Sequence, residues 1–147
     1  GAMYSDTVTI FNRYESRLGD MWYPTVLHDV NVMADRSAIV QKYGEESKDN
    51  AVLNVRYDAG DMIAGKSYLT PKAWDRQTND LLPQTITFRP GEKFDFFYVG
   101  EWTDDPIADD DYENGFYDYM NSTYDGVYAV TSVSKLGVIP HFEITGK

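Results

Sequence analysis

Side chains that alternate in character with a period of two restrict this chain to a fold built on sheets. From Thr7 to Tyr14, Val8, Ile10 and Asn12 alternate with Thr7, Thr9, Phe11 and Arg13. Successive residues of a strand point to opposite faces, so this pattern is that of a half-buried strand. Trp22 to His28 reads as a second strand, and Asp29 to Asp35 continues it in extended form with Val30 and Val32 on one face. Pro24 has no N–H to give to a ladder, which places it at an edge or at a strand start. The stretch Val138-Ile139-Pro140-His141-Phe142-Glu143-Ile144-Thr145-Gly146-Lys147 is a third cassette of the same kind.

Between these cassettes the chain alternates short strands with turn signals. Glu15 to Asp20 reads as a hairpin loop, Gly44 to Asn50 as a polar loop, and Asp58 to Asp61 as a turn. Ala51 to Tyr57 is the cleanest interior strand. Thr70-Pro71-Lys72-Ala73-Trp74 predicts a short helix, with Thr70 as its cap and Pro71 at the first helical position. Gln84 to Arg89 and Phe94 to Gly100 read as strands either side of a Pro90-Gly91 turn. Asp110 to Tyr124 predicts a second helix, because Tyr112, Phe116, Met120 and Tyr124 recur every four residues and Tyr119 widens the stripe. Asp109, Asp110, Asp111 and Glu113 would then sit at its positive end, and Gly115 would lie inside it. Gly126 to Ser134 and Val138 to Ile144 close the chain as two strands. The expected fold is mainly β: a small β-barrel or sandwich of about seven short strands with one or two short helices.

At 147 residues the chain is long enough for one domain with its own core. Gly1-Ala2 ahead of Met3 reads as an expression scar, which leaves 3–147 as a single domain. Without cysteine there is no disulfide framework, thiolate metal site or cysteine nucleophile. No apolar run suggests a signal peptide or a membrane span, so the expectation is a soluble protein without membrane contact. The net charge of −11 is concentrated in one place: residues 94–134 hold ten acids and no Lys or Arg. Such a surface repels phosphates, and sequence-specific binding of nucleic acid is not expected.

No reaction centre emerges from the polar residues. Reading Gly115 as the glycine of a calcium-binding EF-hand puts Tyr112 at a ligand position and Asn121 where the closing Glu belongs, so the motif fails. With twenty-four acids, some pair always has the spacing of a glycosidase, and sequence shows no raised pKa to mark a general acid. His28 and His141 stand alone in apparent strands and read as hydrogen-bonded sheet residues. Trp22, Trp74 and Trp102 read as core or interface anchors. No catalytic, cofactor or metal residue is assigned. Asp104, Asp105, Asp109, Asp110, Asp111 and Glu113 are assigned to an interaction surface within an acidic loop-helix insertion at about 101–125.

The order of the cassettes carries a resemblance. Val8-Thr9-Ile10-Phe11-Asn12, then Trp22-Tyr23-Pro24-Thr25-Val26-Leu27 and Val30, resembles the start of small minor capsid or head–tail connector proteins of tailed phages and prophages. The similarity runs on through Ala51 to Tyr57, Tyr68-Leu69-Thr70-Pro71-Lys72-Ala73-Trp74 and Ile86-Thr87-Phe88-Arg89-Pro90-Gly91-Glu92. It ends in His141-Phe142-Glu143-Ile144-Thr145-Gly146, which is similar to the family's closing strand. The resemblance implies a head-closure barrel whose subunits form a ring beneath a portal or adaptor and offer the tail a docking surface. It implies no cofactor and no reaction, a place in the virion, and assembly in the bacterial host cytoplasm. Isolated subunits are expected to be monomers or weak oligomers. Glu101 to Asp125 departs from the pattern, since simpler members are expected to have a short connection there. The acids from Asp104 to Glu113 would line the ring's channel or pair with a neighbouring subunit. Two other readings stand beside this one: an acidic DNA mimic that inhibits a host nucleic-acid enzyme, and a carbohydrate-binding module.

Overall fold

β-Branched and aromatic residues on alternating positions give this chain long strands that roll into a closed wall. The computed structural model describes residues 4–34, 51–78, 80–91 and 94–147. The expected polar loop at Gly44–Asn50, the end of the second cassette at Asp35, Glu92 and the Gly1-Ala2 scar lie outside the described residues. Ten strands occur among the described residues: β1 (Asp6–Ser16), β2 (Gly19–Met33), β3 (Ala51–Arg56), β4 (Met62–Ile63), β5 (Lys66–Tyr68), β6 (Thr85–Ile86), β7 (Phe96–Val99), β8 (Ile107–Ala108), β9 (Val127–Leu136) and β10 (His141–Gly146). Two helices join them, α1 (Pro71–Asp75) and α2 (Phe116–Thr123), with 3₁₀ turns at Leu82–Gln84 and Asp109–Asp111.

Six strands close in the order β1-β7-β9-β10-β3-β2 and back to β1, every pairing antiparallel. The fold is therefore a mainly β barrel, with β8 added beside β2 and a small β4-β5-β6 sheet set apart from the main one. Two strands are longer than expected: β1 has 11 residues and β2 has 15. They pair from Ser16↔Gly19 outward, so the hairpin loop shrinks from the expected six residues to Arg17-Leu18. β2 is long because it serves two neighbours, β1 over most of its length and β3 at Asn31–Met33. Between the Val8↔Leu27 and Asp6↔Val30 pairs β2 carries one extra residue, and Asp29 there has φ +56°. This bulge bends the strand from one partner to the next. Pro24 pairs with Phe11 on the β1 side, and its carbonyl accepts a hydrogen bond from Lys66 Nζ at 3.3 Å. It tolerates the position because β8 pairs with β2 before it, at Met21 and Trp22, and β3 well after it, at Asn31–Met33.

The inner faces of the strands build the barrel core from Val8, Ile10, Leu27, Leu53, Val55, Phe97, Val130, Phe142 and Ile144, with Ile63, Ile86 and Phe88 added from the segments between. β10 passes so close to β9 that a Cβ on Gly146 would lie 2.9 Å from Tyr128 Cβ and 3.1 Å from the Ala129 carbonyl oxygen. The α1 helix forms as expected: Thr70 Oγ1 accepts from the Ala73 N–H at 3.3 Å, and Trp74 is fully buried. The strand expected over Gln84–Arg89 pairs only at Thr85–Ile86, in parallel with β5. Beyond it Thr87 and Arg89 turn into a polar cluster, described below, instead of a ladder. Among the described residues no helix is long and apolar enough to cross a membrane.

Candidate interaction surface

The acidic segment is held down before it is exposed. Thr9 on β1 is fully buried; its hydroxyl donates to the Gly100 carbonyl at 2.9 Å and accepts from the Trp102 N–H at 3.0 Å. The chain next adds β8 to β2 at Met21 and Trp22. Asp109 then turns inward, where its Oδ1 accepts from Trp22 Nε1 at 2.8 Å and from the Phe116 N–H at 2.9 Å. One carboxylate oxygen thus ties the segment to β2 and caps α2.

The helix is shorter than the spacing of its aromatics predicts. It begins at Phe116, not Asp110, and Gly115 is its N-cap at φ +90° rather than an interior residue. A side chain at Gly115 would both strain the backbone and lie 3.2 Å from Asp109 Oδ1. Asp109, Asp110 and Asp111 form the preceding 3₁₀ turn, and of the acids assigned to the helix start it is Asp109 whose carboxylate accepts from the helix backbone.

Phe116 and Met120 are fully buried against Phe11, Trp22, Phe96 and Val127. Phe116 meets Phe11 at 5.2 Å between ring centroids, Phe11 stacks on Phe96 at 4.7 Å, and Trp22 sits edge-on to Phe96 at 4.9 Å. Tyr112 and Tyr124, outside the helix, join the same cluster with Tyr98 and Trp102. The segment at 101–125 is therefore the lid of a second core, laid on the outer face of β1, β2 and β7. Sequence reading treats it as an added surface, but its aromatic half is structural.

Its carboxylates remain outside. Asp104, Asp105, Asp110, Asp111 and Glu113 are exposed, whereas Asp109 is partly buried and committed to two hydrogen bonds. Among the described residues, no three His, Cys, Asp or Glu side chains are grouped to hold a metal ion. Burial lowers the pKa of the Lys66 ammonium, and the charge of Asp104 partly offsets it. Beside the acids runs an open groove of about 460 Å³ lined by Tyr112, Asn114, Asp118, Tyr119, Asn121 and Ser122, among others. Burial raises the pKa of Tyr112, with Tyr119 and Asp111 adding to it, and burial followed by Asp118 raises Tyr117. These phenols stay neutral and able to donate.

A second polar cluster went unrecognised in the sequence. Asp95 is fully buried; its Oδ1 accepts from the Arg13 N–H at 2.9 Å and from Arg89 Nη2 at 3.0 Å, and its Oδ2 accepts from Asn12 Nδ2 at 3.0 Å. Arg89, itself only 4% exposed, also donates to Asp75 Oδ1 at 2.8 Å and to the Arg13 carbonyl. Trp74 Nε1 donates to that same carbonyl at 2.9 Å. Burial pushes the Asp95 carboxyl up to about 6, outweighing Arg89 and the other donors. Buried at Asp95, Arg89, Asn12 and Trp74 and open to solvent only at Asp75, the cluster is a pin that fastens α1 and the 87–89 stretch to the barrel. Its signal in the sequence is a charge set inside an apolar run, as in Phe94-Asp95-Phe96-Phe97 and Phe88-Arg89.

Both histidines make hydrogen bonds from strand positions, His28 Nδ1 with Thr7 Oγ1 at 3.3 Å and His141 Nδ1 with the Ile139 carbonyl at 2.6 Å. Trp22 and Trp74 are buried core anchors, and Trp102 packs half-buried on the second core. Among curated proteins and among solved structures, none matches this chain. A family model described as "Family of unknown function (DUF6751)" matches residues 3–147, and the chain belongs to that family.

Proposed function

Proceeding from membership in a family whose description assigns no activity, we propose that this protein is a structural component of a tailed-phage or prophage virion, acting at the head–tail connector by protein–protein assembly. The observation that carries the reading is the placement of the ordered cassettes. Residues 6–14, 22–32 and 141–146 become β1, β2 and β10, three of the six staves of a small closed barrel. The resemblance implied a barrel of this kind. Support also comes from apolar residues held out at hairpin tips: Leu18 at the β1–β2 turn is 97% exposed, and Val138 at the β9–β10 turn 87%. A role in assembly uses such tips, since large apolar side chains in solvent are what a partner covers.

The acids enter this reading in reduced form. With Asp109 committed to the second core, Asp104, Asp105, Asp110, Asp111 and Glu113 are the ones available to face a channel or a neighbouring subunit. Mass spectrometry of purified virions from a host carrying the gene tests the proposal. The chain is expected in tailed particles together with portal and tail proteins; its absence from particles while abundant in the lysate would overturn the reading.

One observation favours a second reading, a carbohydrate-binding module. The α2 groove combines two tyrosine rings with Asn114, Asp118, Asn121 and Ser122, a mixture of aromatic faces and hydrogen-bonding groups that suits polyols. A glycan array without hits removes it.

A further inference from the structure

The β9–β10 hairpin ends in Leu136-Gly137-Val138-Ile139-Pro140, an uninterrupted apolar tip. Val138 is 87% exposed and Ile139 71%. Ile139 also has φ +52°, a conformation that is a genuine outlier for a β-branched residue. Glycine, asparagine or aspartate is the ordinary occupant of such a position, so the fold alone gives no reason for isoleucine here. Nor is the tip loose. The Tyr57 hydroxyl donates to the Leu136 carbonyl at 3.0 Å, the Tyr57 N–H to the Pro140 carbonyl at 3.4 Å, and His141 Nδ1 meets the Ile139 carbonyl at 2.6 Å. Lys135 anchors the base through Asp61 at 2.9 Å. The result is a rigid apolar knob, already organised for contact.

The other end of the same hairpin is concave. There Phe94, Tyr117, Ala129, Val130, Thr131 and Lys147 line an open, largely apolar groove of about 640 Å³. Ala129 pairs with Lys147 at this end of the ladder, and Leu136 pairs with His141 at the knob end. Seven residues of strand separate them, roughly 23 Å at the usual rise. Knob and groove cannot meet within one chain.

We propose that the knob of one copy of this chain docks into the groove of the next, Val138 and Ile139 against Phe94, Tyr117 and Ala129. The occupant is a second copy because both complementary halves are on one molecule, at opposite ends of one rigid element. Such a contact is heterologous, and repeating it gives a ring if the rotation closes. A tip of this size falls far short of the roughly 1,200 Å² of a stable interface, so free subunits associate weakly and need a platform to complete a ring. The inference rests on the connector reading for its biological setting, and names the surfaces through which those subunits would join.

Sedimentation velocity over a concentration series tests it, with wild type, Ile139→Asn and Thr131→Arg compared. Asparagine accepts a positive φ, so Ile139→Asn is expected to melt no lower than wild type while associating at least tenfold more weakly. Thr131→Arg places a charge in the groove and is expected to weaken association similarly; should it melt lower, Ala129→Lys serves in its place. An equimolar mixture of knob and groove variants keeps one intact knob and one intact groove, and is expected to form dimers that grow no further. A wild type that stays monomeric at every concentration, an Ile139→Asn variant that associates normally, or a mixture that does not pair would each overturn the inference. Any of these would leave the connector reading standing, because that is decided by the composition of virions.

Discussion

Removing the Asp109 carboxylate takes the acceptor from both the Trp22 indole and the Phe116 amide. An unmet donor in a partly buried site costs about 1–3 kcal/mol, so Asp109→Ala is expected to lose roughly 2–3 kcal/mol in a urea titration. Asp109→Asn keeps an oxygen in place and is expected to lose less than about 1 kcal/mol. Ala64 offers the opposite case. Ala64-Gly65 is the two-residue turn between β4 and β5, with φ of +51° and +76°. Turns of this type favour Asn-Gly, and a left-handed alanine costs about 1–2 kcal/mol. Ala64 is exposed, so Ala64→Asn is expected to add about 1 kcal/mol, visible as a melting point higher by a few degrees.

Asp95 sets a pH dependence at the same scale. Its carboxyl stands near 6 in the folded chain against 3.8 for an ordinary aspartate, so the folded state holds this proton more tightly than the unfolded one. The group therefore favours folding most below pH 3.8, and that contribution disappears as pH rises to about 6. The full span is on the order of 3 kcal/mol. Asp95→Asn is expected to be destabilising throughout, because an amide nitrogen cannot accept and leaves one of the buried donors from Asn12, Arg13 or Arg89 unmet, although Asp75 still pairs with Arg89. The gap between wild type and Asp95→Asn should be wider at pH 4 than at pH 7. Denaturation curves showing the same gap at both would contradict the assignment.

Among the elements, those formed by local pattern were legible and those formed by remote partners were not. β1, β2, β3 and β10 follow from alternation, and α1 from Thr70-Pro71, since each is specified within a few residues. The spacing predicts a helix at 110–124 that is too long, because Tyr112 and Tyr124 keep a four-residue spacing with Phe116 and Met120 while lying outside the helix. They reach the second core from extended backbone, and hydrophobic spacing does not distinguish that from a helical stripe. β4 and β5 are not legible, because two- and three-residue strands carry no period, whereas β6 falls inside the strand expected over Gln84–Arg89. The six acids were found as a group, but nothing in their order tells Asp109, which turns inward, from its neighbours. Replacing 101–125 by a short turn would uncover Phe11, Trp22 and Phe96, and is expected to give an insoluble chain rather than a simpler barrel. Phe116→Ala, a milder probe of the same lid, is expected to cost about 3–5 kcal/mol by denaturant titration.

The molecule as a whole separates its charge from its stability. Five of the six assigned acids stand in solvent, and exposed substitutions of this kind usually stay within about 0.5 kcal/mol each. Replacing Asp104, Asp105, Asp110, Asp111 and Glu113 with their amides would bring the net charge from −11 to −6. The melting temperature is expected to hold, while any contact made through charge should lose its salt dependence. If the variant failed to fold, these acids would have to be reassigned from surface to scaffold.

β10 lies between β9 and β3 with paired neighbours on both sides along its whole length. Ladder hydrogen bonds run perpendicular to their strands. A pull along β10 would therefore load two rows of bonds side by side, in shear, and they would have to fail together rather than peel one after another. The hairpin is built as a tension member, able to carry mechanical load from one end of the barrel to the other.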